Sequence, residues 1–144
     1  MRKIINGDVI LRSLHLTELF DLSDVEVTGD FDCRRNNLTS LVGSPHTVGV
    51  HFYCNNNDLI SLKGAPQTVN GSFLCDVNKL TSLKGAPHTV GGNFDCSGNN
   101  LTSLKGITKT VGINFYIDKA LRDKFPEEYI RSLCKIEGNI VYKY

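Results

Sequence analysis

Cysteine and histidine are the side chains in this sequence with the greatest capacity for chemistry. Four of the five cysteines lie 21 residues apart: Cys33, Cys54, Cys75 and Cys96. A metal site needs paired ligands such as C-x-x-C, and the sequence contains no such pair. A nucleophilic cysteine or serine needs a base held by an orienting carboxylate, and none of His15, His46, His51 and His88 has such partners. The residues therefore predict no enzyme, no metal site and no cofactor, and Cys134, outside the series, is predicted to pack in a helix.

The cysteine spacing belongs to a repeat that runs through most of the chain. Phenylalanine recurs at the same interval, at Phe31, Phe52, Phe73, Phe94 and Phe115. An asparagine column (Asn36, Asn57, Asn78, Asn99), two leucine columns and a glycine column keep the same register. So many columns in register predict a repeat protein whose units stack on one another. Because Phe and Cys alternate along a short strand, we expect them to form one buried ladder with free thiols.

The repeat unit reads V-x-G-x-F-x-C-x-x-N-x-L-x-S-L-x-G-x-P-x-T. Its middle, best seen at Phe52–Leu59, Phe73–Leu80 and Phe94–Leu101, resembles the leucine-rich repeat. With its S-L-x-G-x-P tail, the unit is similar to the short repeats, of 20–21 residues, found in bacterial and bacteriophage proteins. The resemblance covers roughly residues 7–117. It implies a leucine-rich-repeat fold, a binding scaffold with diverse partners and, by analogy, a phage protein that binds or inhibits a bacterial defence factor.

The predicted fold is mainly β, a right-handed parallel solenoid of about seven rungs with a C-terminal helical cap, in one domain over residues 1–144. Residues 7–22 form an atypical N-terminal unit, with one extra residue absorbed near Asp21–Asp24. Residues 27–117 are the regular repeats, and residues 118–144 form a cap of helix plus strand. Pro126 predicts a helix start and a helix over about 126–134, with Ile140–Tyr142 as the last strand. We expect the asparagines to form an internal hydrogen-bonded ladder, and the glycines of the repeat to adopt positive φ.

Charge and hydropathy exclude several classes of function. Sixteen Lys+Arg against fifteen Asp+Glu give a net charge of +1, which argues against a DNA mimic and a general nucleic-acid binder. No apolar run approaches the ~18 residues of a membrane span, and the first residues lack the apolar core of a secretion signal. We therefore predict a cytoplasmic protein, in the host cytoplasm if phage-encoded, that is a monomer or a weak homodimer.

The outward positions of the predicted strands vary from rung to rung, which is where a partner would bind. Tyr53, Leu74 and Tyr116 share one such position, although nothing in the fold requires apolar groups there. Exposed aromatic residues flanked by charges are common interface anchors, although single exposed apolar residues are normal on any surface. We favour a protein-binding face in which these three side chains are surrounded by Asp32, Arg34, His51, Asp76 and Asp95.

A second strip is basic, and it supports an alternative function. Lys63, Lys84 and Lys105 share one repeat position, and His46, Gln67, His88 and Lys109 share another four residues later. Such a strip would suit a phosphate or an acidic group, although a duplicated column of solvated lysines needs no ligand. The alternatives to a protein-binding module are therefore a small-molecule or nucleotide-binding protein using this strip, and a self-associating module that pairs through Ile140–Tyr142.

Overall fold

The chain folds into a β-solenoid of seven turns, and each turn contributes one strand to each of two parallel sheets. The computed structural model describes residues 2–144, so Met1, the first residue of the predicted domain, lies outside the described residues. With strands numbered in chain order, sheet A contains β1 Lys3–Ile5, β3 Val25–Val27, β5 Thr47–Val48, β7 Thr68–Val69, β9 Thr89–Val90, β11 Thr110–Val111 and β13 Lys135–Ile136. Sheet B contains β2 Val9–Ile10, β4 Phe31–Asp32, β6 Phe52–Tyr53, β8 Phe73–Leu74, β10 Phe94–Asp95, β12 Phe115–Asp118 and β14 Ile140–Lys143. The predicted mainly β solenoid of about seven rungs is confirmed.

Two ladders of identical side chains fill the core. The five repeat phenylalanines stack with ring centroids 5.2–5.5 Å apart. The four repeat cysteines lie beside them as buried free thiols. Phe52 pairs with Phe31 and with Phe73, so the register follows the 21-residue spacing. The first turn is one residue longer, because Val9 pairs with Phe31 whereas Glu26 pairs with Thr47. The predicted inward ladder and the extra residue of the first unit are both observed.

The asparagine column forms the predicted internal ladder at the corner that follows sheet B. Asn78 Nδ2 donates to the carbonyl oxygens of Cys54 and Cys75, each at 3.1 Å, and Asn78 Oδ1 accepts the N–H of Leu59 at 3.0 Å. Asn36, Asn57 and Asn99 make the equivalent bonds in their own turns. Each asparagine therefore satisfies buried backbone groups of two consecutive turns, which would otherwise lack partners.

Left-handed backbone recurs twice in each of the four regular turns. The repeat glycines Gly43, Gly64, Gly85 and Gly106 have φ between 87° and 100°, as predicted. A Cβ at Gly64 would overlap the backbone of Leu41 and Val42, so this position requires glycine for space as well as conformation. The residue before each ladder asparagine is also left-handed, and in one turn it is Val77, with φ of 54°. A β-branched residue rarely adopts this conformation, which makes Val77 a strained position.

The C-terminal segment closes one end of the core. A 3-10 turn at Lys119–Leu121 and the helix α1, Glu127–Leu133, lie between β12 and β13, close to the predicted helix at 126–134. Phe125 and Ile130 are buried against the last turns, and the Tyr142 hydroxyl donates a hydrogen bond of 2.6 Å to the Phe125 carbonyl. Within residues 2–144, no helix is both long and apolar enough to cross a bilayer.

The N-terminal end has no comparable cover among residues 2–144. The N–H groups of Val9 and Leu11 donate to the carbonyl oxygens of Asp30 and Asp32 in the next turn. Successive residues of a parallel strand direct their hydrogen-bonding groups to opposite sides, so the N–H and C=O of Ile10 face the open edge of sheet B. The exposed apolar side chains of this first turn are Ile4, Ile5, Ile10, Leu14 and Phe20. The two ends of the solenoid are therefore unequal, with one end covered by a helix and the other left open.

Candidate functional site: the outer face of sheet B

The outer face of sheet B carries three columns of side chains, one residue from each turn in each column. Because the phenylalanines and cysteines point inward, the residues before, between and after them point outward. Column 1 contains Asp8, Asp30, His51, Ser72, Asn93, Asn114 and Asn139. Column 2 contains Ile10, Asp32, Tyr53, Leu74, Asp95, Tyr116 and Val141. Column 3 contains Arg12, Arg34, Asn55, Asp76, Ser97, Asp118 and Lys143.

Column 1 is a continuous ladder of side-chain acceptors rather than a variable surface. Each side chain from Asp8 to Asn114 accepts the backbone N–H of the column 1 residue in the next turn, at 2.7–3.0 Å. His51 takes part through Nδ1, which accepts the N–H of Ser72 at 2.9 Å, so the proton of its neutral ring is on Nε2. His51, predicted as a binding residue, thus has a structural role as well, and its ring packs against Tyr53 with centroids 5.7 Å apart.

Asp32 is buried, which corrects the expectation that it is an exposed charge beside the apolar residues of the predicted binding face. Only 1% of the residue is exposed, because Arg12 and Arg34 close over its carboxylate. Asp32 Oδ2 lies 3.3 Å from Arg12 Nη1 and 3.2 Å from Arg34 Nη2, and Asp32 Oδ1 accepts the N–H of Arg34. The guanidinium of Arg34 in turn lies over the ring of Tyr53, 4.8 Å from its centroid. Asp32 therefore positions Arg34, and Arg34 positions Tyr53.

Asp95 repeats this arrangement at the other end of the face and needs the same correction. It is 7% exposed, and its Oδ2 forms an ion pair of 2.7 Å with Lys143 Nζ. The N–H and Oγ of Ser97 both donate to Asp95 Oδ1, at 3.0 and 2.6 Å. Burial alone would lower the pKa of Lys143, but the hydrogen bond and the charge of Asp95 outweigh it and raise that pKa. Lys143 Nζ lies 5.1 Å from the ring centroid of Tyr116, so a buried carboxylate again holds a cation over a tyrosine.

The middle of the face lacks such internal pairing. Leu74 is half-buried in column 2 between the two tyrosines, and Asp76 lies beside it in column 3. Burial and the charge of Asp95 raise the pKa of Asp76, and a backbone hydrogen bond and the charge of Lys143 oppose this only in part. No basic side chain of residues 2–144 forms an ion pair with Asp76, and the buried Oδ1 of Asn55 has no hydrogen-bond partner there. The centre of the face therefore combines an apolar group with polar groups that internal contacts leave unsatisfied.

The lysines of the basic strip lie in loops outside the outer face of sheet B. Lys63, Lys84 and Lys105 are exposed in the loops that run from each strand of sheet B to the next strand of sheet A. Each backbone N–H bonds to the Oγ of the serine two residues earlier, at 3.0–3.4 Å, so the three loops have the same shape. The strip and the face are separate candidate surfaces.

The thiols are not arranged for catalysis. Burial is the main cause that raises the pKa of every repeat cysteine, whereas a nucleophilic cysteine needs a lowered pKa. Burial also raises the pKa of Cys134 to about 11. Among residues 2–144, no group of three or more His, Cys, Asp or Glu side chains is placed to hold a metal ion.

No protein-family model, no curated protein and no solved structure matches this chain. The geometry of the face and the residues of the repeat are therefore the observations that indicate a function.

Proposed function

We propose that this chain is a non-catalytic protein-binding module that holds one protein partner on columns 2 and 3 of sheet B. The observation that carries the proposal is the pair of tyrosines held by cations that are themselves fixed by buried carboxylates, Asp32 and Asp95. Seven strands ~4.8 Å apart give a face ~29 Å long, which accommodates an ordinary interface of about 800 Å² per partner.

Preorganisation is the physical advantage of this arrangement. A tyrosine or arginine that is mobile before binding loses about 0.5–1.5 kcal/mol of conformational freedom when a partner immobilises it. Arg34, Tyr53, Tyr116 and Lys143 are already held by internal contacts, so little of that cost remains. Tyrosine and arginine are also the residues most often found as energetic hot spots of interfaces.

The unpaired carboxylate of Asp76 indicates the chemistry of the partner. A lysine or arginine from the partner would neutralise Asp76, while an apolar side chain would cover Leu74. Burying Asp76 without such a cation would be costly, so the proposed partner presents a basic group next to an apolar one. The resemblance of the repeat to short phage and bacterial leucine-rich repeats supports a phage protein that binds and inhibits a bacterial defence protein in the cytoplasm.

The test compares two triple variants as baits in an affinity pull-down from a bacterial lysate. The first replaces Tyr53, Leu74 and Tyr116 with serine, and the matched control replaces Lys63, Lys84 and Lys105 with serine. All six side chains are at least partly exposed, so both variants should fold, which circular dichroism will check. A partner that is lost only with the first variant supports the proposal. A partner retained by the first variant shows that another surface binds it.

A single charge reversal examines the proposed partner chemistry. Asp76→Lys should abolish binding of a basic partner, whereas Asp76→Asn should weaken it about tenfold or more, because a charged pair becomes a neutral one. Tighter binding by Asp76→Lys would show that the partner is acidic at this point.

A further inference from the structure

We infer that a second surface, a groove between the basic strip and helix α1, binds a nucleoside triphosphate. The groove has a volume of about 520 Å³, within the range of roughly 300–1,000 Å³ that is usual for small-molecule sites. The loop at 103–109 forms one wall and α1 forms the other, with His88 and Pro87 from the preceding turn. This surface is separate from the proposed protein-binding face, and the inference does not depend on that proposal.

The lining of the groove carries basic side chains and no acidic side chain that would balance them. His88, Lys105 and Lys109 line it, and no Asp or Glu does. Within residues 2–144 neither lysine forms an ion pair, in contrast with Lys79, Lys135 and Lys143. A neighbouring cavity of about 600 Å³, lined by Lys63 and Lys84, extends the basic surface by one more turn.

The regular stacking of the solenoid places these cations at a spacing that suits a polyphosphate. Lys105 in the groove and Lys84 in the neighbouring cavity are carried by loops one turn apart, ~4.8 Å along the solenoid axis. Cations at this spacing repel one another, and an anion bound between them removes the repulsion. Lysine binds phosphate as a point charge and imposes little geometry, so flexible lysines of consecutive turns can follow a triphosphate chain.

The opposite wall of the groove offers an aromatic surface next to these charges. Tyr129 and Leu133 of α1 line the groove and remain 44% and 38% exposed, while Ile130 of the same helix is fully buried. The ring of Tyr129 stacks on Phe125, with centroids 6.1 Å apart, which holds it in place. A planar base can stack on such a ring, and base stacking on aromatic side chains is tolerant of base identity. An anion with an aromatic base fits this combination better than a simple phosphate does.

The experiment measures binding of ATP, GTP and inorganic tripolyphosphate to the full chain by isothermal titration calorimetry. The variant Lys105→Ala/Lys109→Ala removes two charges from the groove. The matched control, Lys119→Ala/Lys124→Ala, removes two charges from exposed positions that do not line the groove. We expect the groove variant to lose at least about tenfold in affinity for ATP and the control to remain within about twofold.

Tyr129→Ala separates nucleotide recognition from general attraction to anions. We expect ATP and GTP to bind the wild-type protein more tightly than tripolyphosphate, and Tyr129→Ala to remove that difference. Absence of nucleotide binding at millimolar concentration would overturn the inference. An equal loss of ATP affinity in the two double-lysine variants would also overturn the inference, and so would equal affinity of the wild-type protein for ATP and tripolyphosphate. Either result would mean that net charge alone explains the binding.

Discussion

We expect the free energy of unfolding to fall steeply as the pH rises above about 9, because four thiols are stacked in the core. Cys33, Cys54, Cys75 and Cys96 have no exposed surface, and burial raises their pKa above the ordinary value of 9.0. Neighbouring thiols and carboxylates raise it further, as Cys54 and Cys96 do for Cys75. The folded protein therefore keeps these protons at a pH at which the unfolded chain releases them. Stability is complete below about pH 9 and is lost as the pH rises further.

The size of the effect follows from the difference in proton binding. With an unfolded pKa of 9.0, one thiol that stays protonated in the folded state costs less than about 1 kcal/mol at pH 9 and about 1–2 kcal/mol at pH 10. Four such thiols together cost about 6 kcal/mol at pH 10. A domain of ordinary stability, about 5–15 kcal/mol, would lose much of it at this pH.

Urea unfolding, followed by circular dichroism at several values between pH 7 and pH 10 with a phosphine reductant present, measures this loss. In Cys75→Ala the decrease between pH 7 and pH 10 should be about 1–2 kcal/mol smaller than in the wild-type protein. Leu80→Ala is the matched control, since it truncates another fully buried side chain that does not titrate. It should lower stability at every pH by a similar amount, about 2–5 kcal/mol. If the free energy of unfolding falls by the same amount between pH 7 and pH 10 in the wild-type protein and in Cys75→Ala, the repeat thiols do not keep their protons in the folded state. That result would refute the prediction.

Three further predictions concern the backbone of the repeat. Asn78→Ala removes a side chain that hydrogen-bonds to four backbone groups, so urea unfolding should show a loss of about 2–4 kcal/mol, whereas the exposed Asn70→Ala should change stability by less than about 0.5 kcal/mol. Val77→Asn should raise the free energy of unfolding by about 1 kcal/mol, because asparagine tolerates left-handed backbone, and Val50→Asn, exposed but not left-handed, should bring no such gain. In hydrogen exchange measured by mass spectrometry, the amides of β1 and β2 should exchange faster than those of β7 and β8, because the first turn is open on one side; equal protection would contradict this view of the N-terminal end.

The buried residues could be predicted from the repeat columns, because a residue type that recurs at the same position of each regular turn has the same structural role each time. The phenylalanines, cysteines and ladder asparagines could be placed in this way without coordinates. The second sheet was not predicted, although its signal is present in the repeated Thr–Val pairs, such as Thr68–Val69 and Thr89–Val90. Both residues are β-branched and favour strands.

Column 1 shows how different residue types can have the same role. Aspartate, histidine, serine and asparagine occupy it, so it resembles a variable surface position in the sequence. All of them carry a hydrogen-bond acceptor close to the backbone, and this shared property forms the ladder. A comparison by chemistry instead of by residue identity would have found it.

The exposure of Asp32 and Asp95 could not be predicted from their own positions. Alternation along a strand places both on the outer face, and in that sense the expectation was sound. Whether an outward carboxylate is exposed depends on long side chains from other turns. Lys143, which covers Asp95, is 48 residues away in the sequence and follows the helical insertion that interrupts the repeat. Only the three-dimensional structure brings this lysine to the face.

The distribution of hydrogen bonds explains why columns 2 and 3 are suited to binding. Column 1 and the asparagine ladder satisfy backbone groups on the two sides of each short strand of sheet B. The side chains of Tyr53, Leu74 and Tyr116 lie between these ladders and make no hydrogen bond to the backbone among residues 2–144. Substitutions there should therefore change the surface at little cost to the fold. A solenoid built in this way can change its binding partner while its backbone remains fixed, because the groups that stabilise the strands and the groups that face a partner are different residues.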